Sequence, residues 1–342
     1  GLLGLLGPAA ASGLPAVDAA ALPSGAKVVA GKAVIQQVDK TMVIQQSSNK
    51  LITNWKTFDV GRDATVRFEQ PGRSSTALNR VQSMDPSQIH GRIQANGQVF
   101  LVNPNGVVFG NGAVIDAGSL LVSTRDIGDN DFLNDVYSFE GQSAGVIDQL
   151  GQVRTADGGF VVLIAPHIRQ AGQVTVPARG SVAMLAANKV RLQIAGNDLV
   201  GYLIDEGAVA AQIDHTGTTL AEGGKVVLDA QAFDALTTSV VNQHGVIRAD
   251  SLVAEGGKVV LRADKVNLSE KSITSATGVT KGGDVQIIAK DAEVSGQLDV
   301  SSQYDAGRAA VWAEHALRLN KASLRAVSNE ANGGEVQLAA RE

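Results

Sequence analysis

Seven segments of the chain repeat one pattern: GGFVVLIA ending at Ala165, RGSVAMLA at Ala186, GGKVVLDA at Ala230, GGKVVLRA at Ala263, GGDVQIIA at Ala289, AGRAAVWA at Ala313 and GGEVQLAA at Ala340. Aligned on the second residue, they place a glycine at Gly159, Gly180, Gly224, Gly257, Gly283, Gly307 and Gly334. Apolar residues recur at the second and fourth positions after it, as in Val226 and Leu228 or Val259 and Leu261, and alanine closes every copy. The positions between are mixed, among them Lys225, Asp229, Lys258, Arg262 and Glu335. A period of two is the mark of a strand with one buried face. The leading glycine reads as a corner that a Cβ would obstruct.

Successive corner glycines lie 21 to 44 residues apart. A fixed strand motif with elastic spacing means a solenoid whose loops tolerate insertion. Turns of ~20–30 residues suit a coil of three short strands and are too short for propeller blades of ~40–45. The further strands QVTV, GVIRA, GQLDV and ASLRA lie between the motifs. Successive coils then stack about 4.8 Å apart, and a column of alanines suits a narrow inner corner. The longest interval holds YLIDEGAVAAQID, residues 202–214. It reads as an excursion outside the solenoid near 197–222, a hairpin turning at Glu206-Gly207; a degenerate extra coil is the alternative.

Composition agrees with this reading. Hydrophobic residues make up 44% but aromatics only 4%, with 38 glycines and 8 prolines, so the apolar content is aliphatic and the glycine has no collagen period. A net charge of -5 from 29 basic and 34 acidic residues, well mixed, leaves no footprint for nucleic acid. The absence of cysteine excludes disulfides and thiolate metal sites; it also suits a chain that crosses a periplasm unfolded. No run of 18 apolar residues is present, so no membrane-spanning helix is expected.

Residues 1–25 are alanine, leucine, glycine and proline with one charge, Asp18. They read as a signal remnant or a flexible N-terminus and are set aside from the fold. Residues 26–342 then form a single β-helical domain: a cap over 26–60, a distinct block over 60–150, and repeat coils over 151–342. Strands are expected at Val28–Ala30, Ala33–Val38, Thr41–Gln45 and Leu51–Trp55. An open solenoid end exposes strand edges, and strands there would cap it.

Between QVFLV and VVFG stands Asn103-Pro104-Asn105-Gly106, two turn signals back to back. Proline fixes φ and asparagine side chains bond their own backbone, so the four residues read as a corner between successive sides of a coil, not a hairpin. With Asn54-Trp55, Phe58-Val60, Val66-Phe68, Leu78-Asn79-Arg80-Val81, Ile89-Gly91, Asn96-Gly97 and Val99-Asn105, this block resembles the N-terminal secretion domain of two-partner-secretion exoproteins of the filamentous haemagglutinin type, most nearly the high-molecular-weight adhesin branch. The likeness covers about residues 24–342. It implies an all-β, right-handed parallel β-helix with N-terminal capping strands. It implies recognition by an outer-membrane transporter with periplasmic docking domains, and a secretion motif at Asn103, Pro104, Asn105 and Gly106 supported by Asn54, Trp55, Asn79 and Arg80.

Catalytic and metal chemistry find little support. GQSAG, residues 141–145, matches a nucleophile elbow, but Ser143 follows YSFE and precedes a strand where the elbow needs a helix. His90, His167, His215, His244 and His315 are not spaced as metal ligands and read as exposed or capping residues. DIGDND, residues 126–131, lacks the glycine and terminal glutamate of an EF-hand and reads as a solvated loop. Trp55 and Trp312 read as packing residues and not as sugar platforms, although Trp312 sits at an outward position in its motif. No catalytic residue, metal site or cofactor is expected.

The leading function is a non-catalytic secretion, targeting and folding-nucleation domain of a large bacterial adhesin, exported through the periplasm and outer membrane to the medium or cell surface. The alternatives are a carbohydrate- or exopolysaccharide-binding domain and a β-helix polysaccharide lyase or hydrolase. The latter needs clustered carboxylates, and the outward motif positions form no such column. Host or matrix glycans, reached through the full-length adhesin, are a further partner class. The domain is expected as a monomer.

Overall fold

The computed structural model describes residues 13–341; residues 1–12, part of the stretch read as a signal remnant, lie outside it. The chain winds as a parallel β-helix with three faces. The first carries Lys50–Trp55, Thr76–Val81, Gln98–Val102, Ser119–Ser123, Phe160–Ile164, Ser181–Ala186 and Lys225–Ala230, each hydrogen-bonded in parallel to the next. The second carries Ser87–Ile89, Val107–Phe109, Val146–Gln149, His167–Gln170, Gln212–His215 and Val240–Gln243. The third runs from Thr41–Gln46 to Ser323–Arg325. In the later coils the first two faces fuse into single long strands, Lys258–Leu268, Asp284–Val294 and Arg308–Leu319.

The seven repeats all lie on the first face. In the first six, the second and fourth positions, such as Val161 and Leu163 or Val226 and Leu228, are buried in a continuous aliphatic core; in the last, Val336 and Leu338 are exposed. The closing alanines pair in register: Ala186 with Ala230, Ala263 with Ala289, Ala289 with Ala313, Ala313 with Ala340. A Cβ built on Gly224, Gly257, Gly283, Gly307 or Gly334 would strike the carbonyl oxygen of the glycine one coil earlier. Close backbone approach, not left-handed geometry, therefore demands glycine there. A second column, Gly151, Gly172, Gly217 and Gly245, meets the same obstruction at the corner between the second and third faces.

The cap has three sides. Lys27–Ala30 lies antiparallel on Lys50–Trp55, and Ala33–Val38 lies antiparallel on Thr41–Gln46. The third side comes from residues that the sequence reading set aside. Ser24 bridges Thr57, the carbonyl of Ala21 accepts from Gly61 N at 2.9 Å, and that of Ala19 from Asp63 N at 2.8 Å. The segment 19–24 thus covers the edge of the first coil's second face. Its small residues and single proline, Pro23, lack strand periodicity, and only the open edge beside them orders them.

The excursion also differs from expectation. The hairpin is Lys189–Ala195 with Asp198–Glu206, turning at Gly196-Asn197, where Gly196 has φ 62°. Gly207 is not the turn, and Gln212–His215 and Thr218–Ala221 belong to the second and third faces. Gly-Asn supplies left-handed backbone at the tip, so it outcompetes Glu-Gly. A second excursion, through 124–145, adds Asp126–Ile127, the helix Asp129–Leu133 and Tyr137–Glu140. Together they make a four-stranded antiparallel sheet over the outer side of the first face. Between them lies a second core, in which Phe132, Tyr137, Phe139 and Phe160 ring Phe100 at centroid distances of 6.0 to 6.5 Å. The scarce aromatics are concentrated here, because two sheets leave a wider gap than the narrow coil interior.

Candidate functional site

Asn103-Pro104-Asn105-Gly106 joins Gln98–Val102 on the first face to Val107–Phe109 on the second. Asn103 is wholly buried at the corner that alanine occupies in the later repeats. Its Oδ1 accepts from Asn105 N at 2.9 Å, and its Nδ2 donates to Asp85 O at 3.1 Å and Ser87 Oγ at 3.0 Å. One side chain thereby closes its own turn and ties it to the preceding coil. Asn105 is half-buried and donates to Ser83 O at 2.7 Å. Gly106 has φ 114°, and a Cβ there would press on the Val146 carbonyl of the following coil. The corner is held between the coils before and after it, while parts of Pro104 and Asn105 face solvent.

Asn54, Trp55, Asn79 and Arg80 meet on adjacent strands of the first face, Asn54 opposite Arg80. Inside, Trp55 Nε1 donates to Asn79 Oδ1 at 2.9 Å and the indole stacks edge-on against Phe58 at 5.5 Å. Outside, Arg80 donates to Asn54 Oδ1 at 3.2 Å, Asp126 Oδ1 at 2.9 Å and Ile127 O at 2.6 Å, and pairs with Asp129 at 2.8 Å. Arg80 therefore fastens the outer sheet to the coil. These four residues and the 103–106 corner lie in neighbouring coils but make different contacts. The corner glycines from Gly159 to Gly334 run away from them along the solenoid, as a ladder and not as one site.

Sequence reasoning missed Arg125, which no repeat marks. Its guanidinium is fully buried and donates to Ala187 O at 2.9 Å, Ser143 O at 2.8 Å, Ser143 Oγ at 3.1 Å and Asn188 Oδ1 at 2.8 Å. Burial pushes it down to about 10, against the opposing pull of Glu206. It pins the roots of both excursions. Ser143, held by Arg125 and lacking a helix behind it, is no nucleophile elbow. Asp126 and Asp129 of DIGDND serve Arg80, so that stretch is not a free solvated loop.

A polar ladder inside the second face was also missed. Gln149, Gln170, His215 and Gln243 stack in register, each fully buried. The Nε2 atoms of Gln149, Gln170 and Gln243 donate to the carbonyls of Gly151, Gly172 and Gly245. The signal was present as glutamine or histidine two residues before glycine: QLG, QAG, HTG and QHG. His215 is thus neither exposed nor capping. Gln243 Oε1 takes Gly245 N and stands 2.8 Å from His215 Nδ1, so Nδ1 carries the proton and Nε2 accepts from Thr219 Oγ1 at 2.8 Å. Of the other histidines, His167 pairs with Asp214 at 2.8 Å, His90 lies 3.4 Å from Gln88 Oε1, and His244 and His315 are exposed. Trp312 faces outward with Arg308 over its ring at 5.1 Å. Among the described residues no three acidic or histidine side chains are grouped to hold a metal ion, and no helix is long and apolar enough to cross a membrane.

Comparison with known proteins places this geometry. Residues 19–287 match the family described as TPS secretion domain. A heme/hemopexin-binding protein of Haemophilus influenzae is 29% identical over 219 residues, which cover 61% of this chain and 24% of that protein. A second Haemophilus influenzae protein of the same name is 44% identical over 107 residues, covering 31% of this chain and 11% of its own length. The chain therefore spans a quarter or less of these curated relatives. The crystal structure of the HMW1 secretion domain from Haemophilus influenzae superposes with a TM-score of 0.71 at 25% identity, over 93% of this chain and 100% of that one.

Proposed function

The chain belongs to the TPS (two-partner secretion) secretion domain family, and from that premise we propose that it is the targeting and folding-nucleation domain of a larger exported adhesin. Its partner is an outer-membrane β-barrel transporter that reads it through periplasmic docking domains. Its destination is the medium or the surface of a Gram-negative cell. In this reading residues up to 60 form the cap and first coil, 60–150 form the block that the transporter reads, and the coils from 151 onward extend the solenoid.

The observation that carries the proposal is the corner at Asn103. Its hydrogen bonds reach the preceding coil and its Gly106 abuts the following one. Its contacts span three consecutive coils, which is the property a folding nucleus needs. Each later coil then buries its valine, leucine and alanine row on the one before. Such stepwise burial outside the cell biases movement outward without nucleotide hydrolysis.

The test is secretion into the medium with the cognate transporter co-expressed, for wild type, Asn103→Ala and Asn105→Ala, beside circular dichroism of each purified protein. Asn105→Ala folded but retained means that the half-exposed part of the corner is read directly. Both variants unfolded and retained mean that the corner acts through the fold. Wild-type protein reaching the medium without the transporter overturns the reading.

A further inference from the structure

The four-stranded outer sheet has two edges. One is the two-residue strand Asp126–Ile127, pinned by Arg80. The other is the nine-residue strand Asp198–Glu206, which is paired along one side only, with Lys189–Ala195. A long unpaired edge is a template for another strand, and folded proteins ordinarily blunt it with lysine or proline. This one reads DLVGYLIDE, with neither; its carboxylates stand at its two ends, Asp205 paired with Arg191, its ladder to Lys189–Ala195 is irregular at two points, and its middle leaves Val200 57% and Leu203 51% exposed.

An independent pattern lies beneath that edge. The outward column of the first face runs, in register, Leu78, Phe100, Leu121, Val162, Ala183, Val227, Val260, Gln286. The first five are buried under the outer sheet. The edge strand is tied to the next coil, where Tyr202 Oη donates to Asp229 Oδ2 at 2.7 Å, and beyond that tie the column stays apolar at Val227 and Val260 and turns polar only at Gln286. Val227 and Val260 are half-exposed in a groove of about 320 Å³ walled by Leu199, Val200 and Tyr202. Two coils span roughly 10 Å, the width of one or two added strands at about 4.8 Å each. The groove is also lined by Lys225, Lys258 and Arg262. Among the described residues, Lys225 forms no ion pair, Arg262 stands opposite Asp229 in register, and Lys258 reaches Asp284 at 3.7 Å.

We propose that this groove is a docking site for an extended polypeptide segment of a partner protein, apolar along one side and acidic at its flanks. The segment adds to the Asp198–Glu206 edge as a fifth strand. Its backbone pairs with the edge, its apolar side chains cover Val227 and Val260, and its carboxylates meet the three cations. A second copy of this chain does not fit. Its own outer sheet sits on its own coils, and those would have to occupy the space of coils 225–340. The inference does not depend on the transporter reading, and its test uses no transporter.

Two synthetic nine-residue peptides of alternating valine and threonine serve as probes, one with glutamates at both ends and one with lysines. The readouts are affinity and amide hydrogen exchange over 198–206. The glutamate peptide is expected to protect that strand and to bind at least tenfold tighter than the lysine peptide. Lys225→Glu with Lys258→Glu should invert the preference while circular dichroism stays unchanged, because both side chains are solvent-accessible. No protection of 198–206 by either peptide overturns the proposal. So does equal binding of the two, which would mark unspecific apolar adhesion, or protection that rises with protein concentration alone, which would mark a second copy.

Discussion

Nδ2 of Asn103 donates to Oγ of Ser87 at 3.0 Å, across the boundary between two coils and out of reach of water. Asn103→Ala removes that bond with two others and leaves Ser87 Oγ and the Asp85 carbonyl short of a buried donor. It should cost at least about 1–3 kcal/mol. Asn105→Ala loses one half-exposed bond and should cost about 0.5–1.5 kcal/mol. Urea titration of both variants checks the order; an Asn105 variant less stable than the Asn103 variant would contradict the buried-staple account.

Gly257→Ala should destabilise by about 1–3 kcal/mol or more, as overpacking does, because its Cβ would meet the Gly224 carbonyl one coil away. Gly72→Ala meets no atom within 4 Å and should lie near wild type. A thermal melt of the pair separates close approach from a general glycine effect. Equal midpoints would refute the ladder.

His215 has burial as its main perturbation, which holds it down to about 4 from an ordinary 6.5. Above pH 6.5 it is neutral folded and unfolded, so it contributes no pH dependence. As pH falls from 6.5 to 4, the unfolded chain takes up a proton that the folded chain refuses. Stability should therefore drop across that window, by up to about 3 kcal/mol. At Asp214 burial would raise the carboxyl, but bonds from His167, Asn242 and Gln212 outweigh it and hold it at about 2. Its stabilisation is lost only as pH falls below 3.8, a separate window. His215→Gln restores the residue that Gln170 and Gln243 present in the adjoining coils. It should flatten the slope between pH 6.5 and 4; an unchanged slope in pH-dependent denaturation would assign it to other groups.

A chain beginning at residue 26 loses the third side of the cap and exposes the edge at 57–63. It should show faster amide exchange at Gly61 and Asp63, whose N–H groups donate to Ala21 and Ala19. It should also self-associate with concentration in sedimentation, as open strand edges do. A monomer with unchanged exchange would show that the segment is dispensable.

Arg125→Met strands the Ala187 and Ser143 carbonyls and Asn188 Oδ1 in a dry site, at a cost of about 1–3 kcal/mol or more. The loss should fall first on the outer sheet. Hydrogen exchange should rise over 189–206 before it rises in Phe160–Ile164; a uniform rise would mean that Arg125 stabilises the whole helix instead.

The solenoid was written in the sequence because its causes are local and repeated. Alternation at Val226 and Leu228 is enough to bury one side of a strand, and glycine at each corner follows from one backbone contact renewed at each coil. The motif at Asn103 to Gly106 was legible as a corner for the same reason. The outer sheet, the third side of the cap and the Arg125 clamp were not. Phe100, Phe132 and Phe160 come together only when two excursions fold back over coils far from them in sequence. Residues 19–24 have no periodicity of their own and take their order from an edge at 57–63. Arg125 carries no pattern that tells a buried guanidinium from an exposed one, and His215 carries only the spacing before a glycine that it shares with Gln149, Gln170 and Gln243. Periodic local forces determined the helix, and contacts between distant segments, each made once, decided what is laid over it and how it is closed.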